Sequence, residues 1–261
     1  MSIESINFGI YRLMTQILAL LISASTGMGY FVFGKGLWVI VGLFLLTLMT
    51  RFNNKTQSFG KFVEILFIFC LISFVINEFG IGYPNSLVIV LTALVVVIFL
   101  EGPEWSRLYF LPGNSSNYLK LSLIISATAI LMFGLWIYFG IADIQNPVPL
   151  QWPLDTLIIV GIGFAFYLSI IEEIIFRSFI FERAKCAAGT NWAIAIQGTF
   201  FGFMYFRCGV PSGIEGAILG GLFGIGLGYL VKKTNSIYLS MLVHFIVTLA
   251  VFTELTILGK S

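Results

Sequence analysis

From residue 154 to residue 181 the chain reads LDTLIIVGIGFAFYLSIIEEIIFRSFIF. No charged residue interrupts the stretch between Asp155 and Glu172. At about 1.5 Å of rise per residue, a helix over this segment is about 42 Å long, more than the roughly 30 Å of a bilayer's hydrocarbon core. The segment is therefore predicted to span a membrane. It nevertheless carries Glu172, Glu173 and Arg177, and ionisable groups at membrane depth are costly enough to point to a task.

The rest of the chain agrees with that reading. Of its 261 residues 59% are hydrophobic and 10% are charged, against about 25% charged in an ordinary soluble domain. So little polar surface cannot wrap a water-facing body of this size. The expected fold is all-α, a polytopic membrane helix bundle of about eight or nine spans. A net charge of +2 without a basic cluster leaves no electrostatic footprint for nucleic acid. Cys70, Cys186 and Cys208 form no CxxC pair, which argues against a disulfide framework and a Cys-rich metal site.

Apolar runs and the polar breaks between them predict helices near Leu13–Phe33, Leu37–Thr50, Phe62–Ile76, Ser86–Leu100, Leu121–Phe139, Leu154–Phe181, Trp192–Phe206, Gly213–Val231 and Ile237–Phe252. The second, third, fourth and seventh are short for a full crossing. The first continues well past Ser23-Ala24-Ser25 and reads as an uncleaved helix, not as a signal peptide. With the N-terminus cytoplasmic, the alternating loops put Arg12, Arg51, Lys55, Lys61, Arg107, Lys120, Arg183, Lys185, Lys232 and Lys233 on the cytoplasmic side. Lys35, Arg207 and Lys260 fall on the other. That bias predicts a multi-pass protein with its N-terminus cytoplasmic and its C-terminus on the opposite side.

The loop EGPEWSRLYFLPGNSSNY, residues 101–118, is the natural seam. It separates an N-terminal helical set over 1–118 from a C-terminal core over 119–261, with Trp105, Tyr109 and Phe110 expected as interface anchors. No matched pair of broken helices marks the inverted repeats common in transporters.

Adjacent carboxylates on a helix project about 100° apart, so Glu172 and Glu173 cannot share one partner. Glu173 and Arg177 stand four apart with the acid on the N-terminal side, the favourable orientation for an ion pair. Glu172 is left without a local cation, which suits a general base or a metal ligand. The plain alternative is a water-filled vestibule in which all three charges are hydrated. His244 is the sole histidine and shares a helix face with Ser240 and Thr248. Alone it reads as a core donor, and it gains meaning only beside the acid pair. Gly216, Gly220, Gly224 and Gly228 form a four-residue ladder for close helix packing. Tyr205 closes the aromatic run Phe200–Phe206 and, taken alone, reads as an interface anchor.

Together these residues resemble a family. Glu172-Glu173-Ile-Ile-Phe-Arg177 is similar to the EExxxR signature of the CPBP (Abi) membrane proteins, which include the CAAX-processing prenyl-protein endopeptidases. Phe201-Gly-Phe-Met-Tyr205 sits where that family carries FxxxH, and His244-Phe-Ile-Val-Thr248 where it carries HxxxN or HxxxD. The likeness runs from about Ile159 to Phe252. Two positions depart from the pattern, Tyr205 for a histidine and Thr248 for an asparagine or aspartate.

The resemblance implies Glu172 as the base that activates water. Glu173 and Arg177 become a structural or substrate-binding pair, and His244 the one surviving imidazole. It leaves the cofactor open, with zinc as one option held by Glu172 and His244. One imidazole beside two adjacent carboxylates is a poor hydrolytic zinc site. Metal-free hydrolysis, with Tyr205 and His244 as hydrogen-bond donors, is the alternative. The function expected is an endopeptidase acting on a peptide or prenylated protein tail through a cytoplasmically opening cavity. The competing expectation is a catalytically inactive relative that serves as a membrane scaffold and binds a partner membrane protein, lipid or pigment. Transport through an acidic cavity is a third, disfavoured by the missing repeat.

Overall fold

The computed structural model describes residues 3–51, 56–100, 108–140 and 151–258, with side chains throughout except at 3–9, 51, 140 and 258. Every regular element among them is helical. In chain order they are α1 (Ile3–Gly27), α2 (Gly36–Arg51), α3 (Gln57–Glu78), α4 (Asn85–Leu100), α5 (Leu119–Gly140), α6 (Leu154–Glu173), α7 (Phe181–Ala188), α8 (Thr190–Cys208), α9 (Gly213–Thr234) and α10 (Tyr238–Leu258). A π-helical segment, Ile174–Ile180, joins α6 to α7 without a break, so residues 154–188 form one 35-residue apolar rod. Six stretches are long and apolar enough to cross a membrane, which makes this a multi-pass helical membrane protein.

Helices α2 and α4 remain short, as their runs predict. The third run does not. Helix α3 covers 22 residues, because the polar ends around Gln57 and Glu78 continue the helix beyond its apolar centre. The seventh run, α8, is an interior helix with most of its length buried, from Ala193 to Tyr205.

Helix α8 is seated on α9 by the glycine ladder. A Cβ at Gly220 would stand 2.8 Å from Tyr205 Cβ, and one at Gly224 would stand 3.1 Å from Phe201 Cδ1. Gly202 faces Gly221 across the same seam, where a Cβ would meet backbone at 2.9 Å. Without side chains the two backbones close up, and dispersion between them replaces the hydrophobic drive that lipid does not supply. Across the predicted seam at residue 118 the packing is continuous. From the N-terminal side Phe31 meets Phe200, and Phe69 meets Phe176 and Phe200, all edge-on with ring centroids 5.2–6.1 Å apart.

The end of the loop before α5 is a strap across one end of the bundle. Ile237 N–H donates to Tyr109 O (3.1 Å), Asn114 N–H to Thr234 O (2.9 Å), and Ser178 Oγ to Leu108 O (2.7 Å). Tyr109 itself is buried. Its hydroxyl donates to Glu182 Oε2 (3.1 Å) and accepts from Lys185 Nζ (2.7 Å). Tyr109 is thus a packed strap residue, not the interface anchor expected. Burial, reinforced by the neighbouring Glu182 charge, pushes its phenol well above the usual range. Trp105 lies outside the described residues, as do Lys55, Arg107, Lys260 and the Arg51 side chain.

The strap marks the basic end. Gln16 Nε2 donates to Ala188 O (2.8 Å) and Lys232 Nζ to Asn191 Oδ1 (2.7 Å). Arg12, Arg183, Lys185, Lys232 and Lys233 therefore gather at one end of the bundle, while Lys35 and Arg207 stand at the other. The glycine ladder is directly testable. Gly220→Ala should destabilise the protein by about 1–3 kcal/mol through overpacking against Tyr205. Gly226→Ala, whose Cβ would meet only Ile125 Cγ2 at 3.5 Å, should be neutral, with both read from unfolding transitions in mixed detergent micelles.

Candidate functional site

Four elements deliver the polar groups to one place. The last turn of α6 supplies Glu172 and Glu173, the π segment supplies Arg177, α8 supplies Tyr205 and α10 supplies His244. Glu172, Glu173, Arg177 and His244 are all completely buried. The wide π turn starts immediately after Glu173, and such bulges re-aim side chains inside otherwise regular helices.

Glu173 is the hub. Its Oε1 lies 2.9 Å from His244 Nδ1 and 3.4 Å from Arg177 Nη1, so the helical ion pair expected from sequence is present. The Arg177 guanidinium is stacked over Phe201, 4.2 Å from the ring centroid, and none of its nitrogens makes a hydrogen bond among the described residues. A carboxylate accepts, so the 2.9 Å contact assigns a proton to His244 Nδ1. In the neutral ring Nε2 is then an open acceptor. It lies 3.6 Å from Glu172 Oε2 and has no hydrogen-bond partner. Phe201 and Phe223 meet the imidazole edge-on and hold it upright.

Glu172 has no cation bonded to it, but it has two phenol partners that local spacing does not reveal. Tyr83 Oη donates to its Oε1 at 2.8 Å, and Tyr205 Oη to its Oε2 at 3.5 Å. Tyr205 is buried at the site and is not an interface anchor. Sequence reasoning missed Tyr83 altogether. It sits in the short connection between α3 and α4, 89 positions from its partner, and the one local signal, Tyr83-Pro84, reads only as a turn. Thr248 stands apart from the acid cluster. It lines a neighbouring apolar cavity one helical turn beyond His244, and Ser240 donates to Ile237 O (2.8 Å).

That cavity, of about 280 Å³, is walled by Phe133, Phe164, Leu168, Phe223, Val247 and Phe252, with the two phenols, Tyr83 and Tyr205, on its inner side. Trp152, Val210 and Leu255 in its lining extend it toward the end opposite the basic one.

The donor set does not fit zinc. Glu172 Oε2 and His244 Nε2 are spaced like two ligands of one ion, but Glu173 is committed to the far side of the imidazole. The third position falls to a neutral phenol, and no group of three His, Cys, Asp or Glu able to hold a metal exists among the described residues.

The structure is that of a multi-pass helical membrane protein with a buried carboxylate–imidazole centre. Residues 152–250 match the family model described as type II CAAX prenyl endopeptidase Rce1-like, a span that holds all the motif positions named from sequence. The likeness to that family covers less than half of the chain. Among curated proteins, the chain is similar to the ammonium transporter Rh type C of Xenopus laevis, 28% identical over 123 residues, 46% of this chain and 26% of that protein. The Rh type C transporter of Canis lupus familiaris is 22% identical over 157 residues, 52% of this chain and 34% of that protein. The Rh type B transporter of Oryzias latipes is 30% identical over 127 residues, 46% and 28% respectively. The chain spans only about a quarter to a third of the length of these relatives. No solved structure matches it significantly.

The ion pair makes a measurable claim. Arg177→Leu leaves a buried Glu173 charge uncompensated and should cost about 3–5 kcal/mol. Adding Glu173→Gln should recover a large part of that loss in a double-mutant cycle.

Proposed function

We propose that this protein is an intramembrane endopeptidase that cleaves a peptide or prenylated protein tail with a water activated by Glu172, without a metal. The observation that carries the reading is the ring around Glu172. Its two oxygens face Tyr83, Tyr205 and the open Nε2 of His244, and both phenols also line the apolar cavity.

In this reading the cavity takes the hydrocarbon part of the substrate, and the scissile amide lies over the phenols. A water between Glu172 and His244 gives one hydrogen bond to each. Glu172 accepts its proton as the water oxygen bonds to the carbonyl carbon. Tyr205, released from Glu172, donates to the developing oxyanion. Glu172 then passes the proton to the leaving nitrogen as the carbon–nitrogen bond breaks. His244 acts as an acceptor and not as the donor expected from sequence, because Glu173 holds its only proton on the other nitrogen. Arg177 and Phe201 fix Glu173, and through it the ring.

The basic end is assigned to the cytoplasm by the positive-inside bias, with the N-terminus cytoplasmic and the C-terminus opposite. The cavity mouth then opens toward the far leaflet, and the tail enters from there or sideways from the bilayer. A second reading, a non-catalytic membrane scaffold that binds a partner or lipid, draws on a specific observation. Both oxygens of Glu172 are already capped by phenols, and Tyr205 stands in place of a histidine.

Hydrolysis of a fluorogenic prenylated peptide by the purified protein in liposomes separates the two. The peptidase reading predicts product from the parent, loss of at least about a thousandfold in Glu172→Gln and about a hundredfold in Tyr205→Phe. No product from a folded parent, or product unaffected by Glu172→Gln, supports the scaffold.

A further inference from the structure

A second pocket, of about 250 Å³, lies on the other side of Tyr83 from the apolar cavity. Its walls include Asn77 and Glu78 at the end of α3, Ser86 in the first turn of α4, and Arg207 near the end of α8. Tyr83 and Cys208 line both spaces. We propose that this pocket is a polar antechamber that supplies water to Glu172, with the Tyr83 side chain as its door. The inference rests on the hydrolytic reading above and adds the path of the second reactant.

A chamber walled by phenylalanine, leucine and valine offers a water too few partners and stays dry, whereas a water needs two to four polar contacts. The antechamber supplies them from an amide, a carboxylate, a hydroxyl and a guanidinium. Glu172 is completely buried, and Tyr83 bridges the gap, bonded to the carboxylate and part of the antechamber wall. The 2.8 Å bond is the latch. Tyr83 belongs to a loop, not to a helix, and follows Gly80 at φ +74° and Gly82, beside which nothing packs within 4 Å. The loop can therefore carry the ring off Glu172 and off the core it rests against without unwinding a helix. Most of these walls come from the N-terminal helices, outside the matched residues 152–250, so the device belongs to this chain's own architecture.

The test labels Glu172 with a water-soluble carbodiimide and an amine nucleophile in the purified protein, followed by peptide mass spectrometry. Glu215, exposed in the first turn of α9 and part of neither space, serves as the internal reference. Tyr83→Phe removes the latch but keeps the ring, and should raise the Glu172 labelling rate about threefold, the worth of one modest hydrogen bond. Tyr83→Ala removes the door and should raise it further. Adding Ser86→Trp, which fills the antechamber, should return the Tyr83→Ala rate to the parent level. The inference is overturned if Tyr83→Phe and Tyr83→Ala label at the parent rate, or if Ser86→Trp leaves the Tyr83→Ala gain intact, since the reagent then arrives by another route. Labelling requires no turnover. A protein that labels as expected yet hydrolyses nothing refutes the peptidase reading alone, and one that hydrolyses without this labelling pattern refutes the antechamber alone.

Discussion

A single carboxylate organises the centre of this bundle. Glu173 sits between the imidazole of His244 and the guanidinium of Arg177, each completely buried. Removing three such groups from water is expensive, and only their mutual contact makes it tolerable. Because the three belong to α6, the π segment and α10, that contact fixes those elements in register. It also decides the chemistry next door, since holding His244 by Nδ1 leaves Nε2 as an acceptor aimed at Glu172. Glu172 is left outside that structural pairing, bonded only to phenols.

Around this centre the packing is dominated by glycine and phenylalanine. The ladder on α9 lets α8 approach until Tyr205 rests on Gly220, which sets how far its hydroxyl can reach toward Glu172. The Phe31, Phe69, Phe176 and Phe200 cluster then ties the N-terminal helices to the core. Those helices are more than lipid-facing cover. They bring Tyr83, and with it a polar space, to a site otherwise bounded by hydrocarbon.

Much of this was legible from the chain alone. The membrane spans follow from apolar length, and the Glu173–Arg177 pair from a spacing of four on a helix. The family resemblance implied one site for Glu172, Tyr205 and His244, and their side chains do lie together. Other features were not legible, each for a physical reason. Tyr83 acts across tertiary space from a turn, and turn sequences encode backbone shape, not the reach of a side chain. Tyr109 resembled an interface aromatic because its partners, Glu182 and Lys185, lie 73 and 76 positions away. The length of α3 was underestimated because apolar runs mark the buried centre of a helix while polar ends continue it. The direction in which the cavity opens depends on which helix ends diverge, and hydropathy carries no trace of that.

His244, as the only histidine in the chain, offers a reporter free of assignment. Nitrogen NMR of the protein labelled at histidine and embedded in lipid reads the protonation and surroundings of its two ring nitrogens. With the ring neutral, a protonated Nδ1 that shifts in Glu173→Gln and an unprotonated Nε2 that shifts in Glu172→Gln is the result this account predicts. A ring protonated at Nε2, or one indifferent to both substitutions, would contradict it.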